Sequence, residues 1–154
     1  MSEIVLVSAE ICHSEMIWEW RNDPITRKMS VNSEKVSWEE HTSWYEKVLL
    51  DKCRKIYLGV ESGIPIGVVR FDKSDNENYV YEVSITISPE NRGKGFGKQL
   101  LNNGIRRLYK EVRNCKFIRA EVKKDNKSSN KLFKSCGFIF IKDESGMNTY
   151  ELSI

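Results

Sequence analysis

The run Val83-Ser-Ile-Thr-Ile-Ser-Pro-Glu-Asn-Arg-Gly-Lys-Gly-Phe-Gly-Lys98 restricts the fold more than any other stretch of the chain. Val83, Ile85 and Ile87 alternate with Ser84 and Thr86, the period-two pattern of a strand with one apolar face. Pro89 stops that strand. Gly93, Gly95 and Gly97 then leave backbone N–H groups open at the start of an amphipathic helix, where the helix dipole is positive. Arg92, Lys94 and Lys98 place cations beside those amides. Strand, glycine turn and helix in that order predict a phosphorylated ligand here; a tight turn without a ligand is the alternative.

Phosphate-binding loops differ in spacing. A P-loop needs Gly-x-x-x-x-Gly-Lys-Ser/Thr, but Gly97-Lys98 is followed by Gln99, which offers a metal no hydroxyl. A dinucleotide fingerprint needs Gly-x-Gly-x-x-Gly, and Gly93-x-Gly95-x-Gly97 is one residue short. What the run does contain is Arg-x-x-Gly-x-Gly, as Arg92-Gly-Lys-Gly95-Phe-Gly97. That pattern resembles the acyl-CoA pyrophosphate loop of the GNAT superfamily of N-acyltransferases. Downstream, the run from Ile118 through Asn126, Asn130 and Leu132-Phe133 to Gly137-Phe138 resembles the next motif of the same superfamily: strand, Asn, short helix, then Gly-Phe opening a strand. The two motifs together cover residues 82–140.

The remaining elements are read from periodicity. Residues 4–7 form a strand, and residues 11–21 a helix with Met16, Ile17 and Trp20 on its buried side, stopped by Asn22-Asp23-Pro24. Ser37-Trp-Glu-Glu40 has capping-box spacing, with Ser37 as N-cap, and opens a helix to Leu50. Residues 56–61 and 66–72 are strands joined around Ser62-Gly63, and residues 79–87 are the next strand. From Gly97, a helix carries Leu100, Leu101, Ile105, Leu108 and Val112 at helical spacing. Strand 117–122, helix 128–136 and strands 138–142 and 149–152 follow. The order β-α-α-β-β-β-α-β-α-β-β predicts an α/β fold of α+β character, a mixed sheet with helices on both faces rather than repeated βαβ units.

At 154 residues the chain is expected to be a single domain, residues 1–154, with a core that needs no staples. Its net charge of +3 gives no ground for a nucleic-acid partner. No apolar run reaches membrane-spanning length and no signal-peptide pattern opens the chain, so a cytoplasmic protein without a membrane partner is expected. Cys12, Cys53, Cys115 and Cys136 are scattered and read as reduced thiols, Cys136 as a small buried residue rather than a nucleophile. His13 and His41 cannot build a metal site with those cysteines at these spacings, and no metal is expected.

The resemblance implies the GNAT fold, with a central twisted sheet of about seven strands, and acetyl-CoA as donor for direct transfer to an amine. It places the pantetheine arm along the backbone of Ile85, Thr86 and Ile87. The pyrophosphate falls on the amides of Arg92, Gly93, Lys94, Gly95, Phe96, Gly97 and Lys98. Asn126 would contact pantetheine, with Asn130 one helical turn further on the same side. Lys123, Lys124, Lys127, Lys131 and Lys134 either include a 3′-phosphate partner or form a solvated face. Glu82, at the start of the donor strand, matches the position of a catalytic glutamate that works through water in several members; the alternative is a surface carboxylate. Phe133 stands beside the donor where many relatives carry the tyrosine that protonates the leaving thiolate. That puts a dedicated general acid in doubt, but not acyl transfer, because a thiol is acidic enough to leave as thiolate.

The acceptor half comprises Trp20-Arg-Asn-Asp-Pro24, Arg27-Lys-Met29 and Ser37-Trp-Glu-Glu-His41-Thr-Ser-Trp44, continued by Gly67-Val-Val-Arg-Phe-Asp72. It resembles the GNAT enzymes that acetylate the 4-amino group of UDP-linked deoxy amino sugars for pseudaminic acid. This implies an acceptor site containing Arg21, Asn22, Met29, Trp38, His41 and Trp44. Trp38, Trp44 and Tyr45 offer flat surfaces to a base or deoxysugar, although Trp20 and Trp44 can equally fill the core. Arg21, Arg27 and Lys28 suit a diphosphate, and His41, on the exposed side of its helix, a hydroxyl or phosphate. Ribosomal-protein N-terminal acetyltransferases share a Trp-Arg-Asn-like opening, and Glu34, Glu39 and Glu40 would suit peptide cations. A third alternative is an acetyl-CoA-binding module without turnover. The sequence leaves room for a homodimer.

Overall fold

The computed structural model describes residues 3–154. Strands β1 (Val5–Ser8), β2 (Arg54–Glu61), β3 (Ile64–Lys73), β4 (Val80–Ile87), β5 (Phe117–Lys123), β6 (Ile139–Glu144) and β7 (Met147–Ser153) form one sheet. Its order is β1-β2-β3-β4-β5-β7-β6. Every neighbouring pair is antiparallel except β4 and β5. The hairpin between β2 and β3 turns at Ser62 and Gly63, with φ of 51° and 79°, the left-handed pair that a two-residue turn requires.

Five helices cover both faces: α1 (Ser14–Asn22), α2 (Pro24–Met29), α3 (Trp38–Leu50), α4 (Phe96–Glu111) and α5 (Lys127–Ser135). On one face, Leu100, Leu101 and Leu108 of α4 and Phe133 of α5 bury Ile66, Val69, Phe71 and Val83. On the other, Ile17 and Trp20 of α1 and Tyr45 and Val48 of α3 cover Ile56 and Leu58. The α4 helix lies unusually close to the sheet. A Cβ on Gly67 would stand 2.9 Å from Leu100, and one on Gly104 2.9 Å from Val69, so glycine at both sites permits the approach. Val83 with partly buried Ile85 and Ile87 faces this core, while Glu82 and Ser84 on the opposite face are exposed. The alternation read from the sequence therefore holds.

Two expectations need correction. Asn22-Asp23-Pro24 does end α1, but the same residues begin α2. The Asp23 carboxylate accepts the Thr26 N–H at 3.1 Å, and Pro24 occupies the first turn, where its missing N–H costs nothing. His41 was expected on the exposed side of α3, yet it is 0% exposed. His41, Tyr45 and Val48 share one helical face, and that face is the buried one. The imidazole Nε2 lies 3.0 Å from the Ser14 carbonyl and 3.1 Å from its hydroxyl, and the ring stacks between Trp38 and Tyr45. The Ser37 hydroxyl caps α3 as expected, accepting the Glu40 N–H at 3.1 Å.

Burial holds the His41 pKa below its ordinary value, with the Arg21 charge adding to this and the Ser14 bond opposing it. The unfolded chain thus takes up a proton that the folded chain resists, so stability is lost as pH falls below about 6.5. In His41→Asn, urea midpoints measured near pH 7.5 and near pH 5.5 should lie closer together than in the unmodified protein. An equal separation in both proteins would show that His41 makes no contribution to acid sensitivity.

Candidate active site

The parallel strands β4 and β5 pair only at Val80–Phe117, Tyr81–Ile118 and Glu82–Arg119 among the described residues. β3 nevertheless follows β4 to Gly67–Ile87, and β7 follows β5 to Lys123–Met147. Two strands that keep their outer partners but release each other must diverge. The inner edges of residues 83–87 and 120–123 consequently have no partner strand, and a wedge opens in the middle of the sheet with Glu82 at its closed end. Ile85, Thr86 and Ile87 line its β4 side. At its mouth, Gly93 and Gly95 take φ of 74° and 81°, and Gly95 is the N-cap of α4. Backbone N–H groups from Gly93 through Lys94, Gly95, Phe96, Gly97 and Lys98 thus gather at the positive end of a 16-residue helix. Unpaired peptide groups along the wedge and anion-ready amides at its mouth suit a ligand with an amide-bearing arm and a phosphate end.

Several side chains assigned to this ligand are engaged elsewhere. The Arg92 guanidinium donates to the Asp23 carboxylate at 2.5 Å and to the Thr26 hydroxyl at 2.7 Å, not into the mouth. Lys123, the last residue of β5, donates to the Lys28 carbonyl at the end of α2 at 2.9 Å. Each arm of the wedge therefore holds one end of α2. Asn126 is nearly buried and caps α5, accepting the Ser129 N–H at 3.1 Å. The Asn130 amide donates to the Lys123 and Asn126 carbonyls at 3.0 and 2.7 Å and accepts from Asn148 and Tyr150 at 2.9 and 2.6 Å. That saturates it within the β5–α5 turn and β7. Phe133, 3% exposed, packs edge-on to Phe138 at 5.1 Å and stacks on Tyr150 in the core. Lys127, Lys131 and Lys134 line a separate groove of about 630 Å³ against β7, whereas Leu132 is the α5 residue that meets Gly97.

Glu82 is exposed, with Asp72 opposite it on β3 and Arg119 beside it on β5. Partial desolvation raises its pKa, and Glu121, Asp72 and Asp75 push the same way while Arg119 opposes them. Arg119 is already bonded to Glu151 at 2.6 Å and to Glu77, so its charge is shared. Strand alternation could have placed Asp72, Glu82 and Arg119 on one face; their register across strands could not be read locally.

Above that face, the Trp44 ring of α3 meets two guanidiniums, Arg21 at 5.2 Å and Arg70 of β3 at 4.9 Å from the ring centroid. Arg70 was not singled out from the sequence. A cavity of about 170 Å³ beside Trp44 is walled by Arg21, Asn32, Glu34, Lys35, Val36 and Glu40. Trp38, 39% exposed, meets the edge of Trp18 at 5.2 Å, and half-buried Met29 ends α2. His41 is enclosed beneath them and cannot reach a ligand from there. Asn22 accepts the Val36 N–H at 2.9 Å and donates to the Val36 carbonyl at 2.7 Å, pinning the loop before α3. Contrary to the spacing argument, Glu10, Cys12 and His13 bring ligand atoms within 4.8 Å of one another. His13 Nδ1, however, already accepts the Glu10 N–H at 2.9 Å, so the cluster acts as a turn cap.

Residues 14–138 match the model of the Acetyltransferase (GNAT) family. Acetyltransferase PseH of Campylobacter jejuni subsp. jejuni serotype O:23/36 (strain 81-176) is 26% identical over 130 residues, 84% of this chain and 79% of that protein. L-amino acid N-acyltransferase MnaT of Escherichia coli (strain K12) is 27% identical over 113 residues, 70% of this chain and 63% of that one. The crystal structure of spermidine N-acetyltransferase from Vibrio cholerae in complex with CoA and spermine shares the fold, with a TM-score of 0.84 at 20% identity over 99% of this chain and 95% of its own. A family match that runs from α1 to the Gly137-Phe138 step, on a sheet that parts between β4 and β5, makes this chain a member of the acetyltransferase (GNAT) family, an N-acetyltransferase that uses acetyl-CoA.

Proposed function

We propose that the chain transfers acetyl from acetyl-CoA to the primary amine of a nucleotide-linked deoxy amino sugar, with the thioester held in the β4–β5 wedge. The carrying observation is the release of β4 from β5 after Glu82, which leaves the β5-facing peptide groups of residues 83–87 available to pair with the pantetheine amides while the others stay bonded to β3. The amides of residues 93–98 receive the pyrophosphate at the wedge mouth, aided by Lys94 and Lys98. Similarity to Acetyltransferase PseH over 84% of the chain, and the resemblance of the acceptor half to UDP-amino-sugar enzymes, support the sugar.

An alkylammonium cannot attack a thioester until it loses a proton. Glu82 sits at the closed end of the wedge, exposed and more basic than a free glutamate, which suits it to take that proton through water. Unpaired N–H groups of β4 stabilise the oxyanion. Phe133 offers no hydroxyl, and the Tyr150 hydroxyl is committed to Asn130 at 2.6 Å. The thiol therefore departs as thiolate, which its acidity permits near neutral pH.

Gly95 has φ of 81°, which a branched residue adopts only with strain, and its N–H belongs to the mouth. Gly95→Val should weaken acetyl-CoA binding at least about tenfold, roughly 1.4 kcal/mol, by calorimetry on folded protein. Unchanged affinity would remove the donor from this loop.

Glu82→Gln should lower kcat by about a hundredfold with little change in the KM for acetyl-CoA. Because the base acts ionised, the wild-type rate should fall as pH drops through a pKa above the glutamate value of 4.5, and this limb should vanish in the variant. A variant with the wild-type profile would leave Glu82 a surface carboxylate.

For the acceptor, a UDP-linked 4-amino-6-deoxy sugar should be acetylated with far higher kcat/KM than the sugar without its nucleotide, since remote binding energy positions the amine. Preference for short peptides with free N-termini would instead indicate an N-terminal acetyltransferase, and no turnover of any amine a binding module.

A further inference from the structure

Arg21, Trp44 and Arg70 come from three elements, α1, α3 and β3, and meet at one point. All three side chains are half-buried. Among the described residues Arg21 bonds no acceptor and pairs with no carboxylate; the Glu40 charge reaches it only at longer range. Arg70 uses Nε alone, on Asp72 at 2.8 Å, which leaves both terminal nitrogens without an acceptor. Each guanidinium also feels the other's positive charge, which lowers the Arg21 pKa after the larger effect of burial. Asp72 offsets part of the Arg70 charge and Trp44 stacks on both guanidiniums, which still leaves Arg21 and the terminal nitrogens of Arg70 without an anionic partner in contact among the described residues.

The location decides what that partner is. Arg70 stands across from Ser84, and Asp72 across from Glu82, so Arg70 and Glu82 are diagonal neighbours on the same sheet face, a relation that spans roughly 7–8 Å. α1 packs on β4 above that face. The adjoining cavity of about 170 Å³, with Lys35, Glu34 and Glu40 also on its wall, opens at Arg21 and Trp44 and brings space for a phosphate or carboxylate, though not a nucleotide, to the Arg21 side of the pair. Forked donors are the groups that recognise such anions.

We infer that Arg21 and Arg70, stacked on Trp44, form a clamp for an anionic group of the acceptor, held several ångströms from the amine that Glu82 deprotonates. This rests on the acetyl-transfer site proposed above and adds to it a substrate class: amines that carry a phosphate or carboxylate nearby. One anion chemistry serves both sources. A diphosphate between sugar and nucleoside fits it, and so does the α-carboxylate of an amino acid.

The test has two parts. With CoA saturating the donor site, inorganic pyrophosphate and acetate are titrated calorimetrically into wild type, Arg21→Gln and Arg70→Gln, each first checked for an unchanged melting profile. At least one probe should bind the wild type, and both variants should weaken it tenfold or more. Binding of neither probe, or equal binding by all three proteins, would overturn the clamp, and this part needs no acetyl transfer. In the second part, kcat/KM is compared for a UDP-4-amino sugar against the free sugar, and for an L-amino acid against its amide. The pair for which the wild type prefers the charged member names the source, and that preference should collapse tenfold or more in both variants while the KM for acetyl-CoA holds. A preference retained in the variants contradicts the clamp. If no amine is acetylated while the anion titration succeeds, the clamp stands and the acyl-transfer reading fails instead.

Discussion

A parallel pair of strands that stays bonded to its outer neighbours but parts after three residue pairs leaves a row of peptide groups unsatisfied in the middle of a sheet. Such groups are costly when buried, so they must face either water or a ligand that satisfies them. In this chain the parting falls directly below a glycine turn whose left-handed residues open α4. The proposed site therefore follows from topology: the wedge is open to an amide-bearing arm, the helix end to a phosphate, and the last paired residue, Glu82, is the base of the proposed reaction. Without the parting, β4 would be an ordinary central strand and the glycine turn an isolated anion site.

An open wedge needs bracing, and α2 supplies it. Arg92, from the loop after β4, grips Asp23 and Thr26 at one end of α2, and Lys123, from the end of β5, grips the Lys28 carbonyl at the other. The bond to Arg92 chiefly holds the Asp23 carboxyl below its ordinary pKa, so the pair remains charged under mild acid. The Asn130 side chain ties the β5–α5 turn to β7, bracing the far arm in the same way. Thus the Arg92, Lys123 and Asn130 side chains all hold the arms of the wedge in place. α1 and α3, anchored by buried Trp20, Tyr45 and His41, then carry Arg21 and Trp44 over the Glu82 face.

What the sequence revealed was local. The alternation of Val83, Ile85 and Ile87, the glycine turn and the stripe on α4 each depend on neighbours a few residues away, and each appears as read. The Asp23-Pro24 step could be read as a helix stop or a helix start, and only the missing N–H of Pro24 and the Asp23 cap, taken together, reveal α2. His41 was misplaced although Tyr45 and Val48 share its face, because the polar imidazole outweighed the spacing. Asn22 and Asn130 were assigned to ligands from motif position, and their bonds to Val36 and Tyr150, like the stacking of Phe133 on Tyr150, join segments that only tertiary packing brings near. Arg70 was passed over for the same reason: nothing within β3 signals that Trp44 lies above it.

The central claim is that the donor's arm pairs with the β4 edge inside the wedge, and amide hydrogen exchange tests it most directly. Exchange of residues 83–87 and 93–98 would be followed with and without saturating acetyl-CoA, with β6 as an internal reference. Strong protection confined to those two segments is the predicted result. Acetyl-CoA that binds without slowing exchange at residues 83–87, or that protects the groove between α5 and β7 instead, would contradict the account.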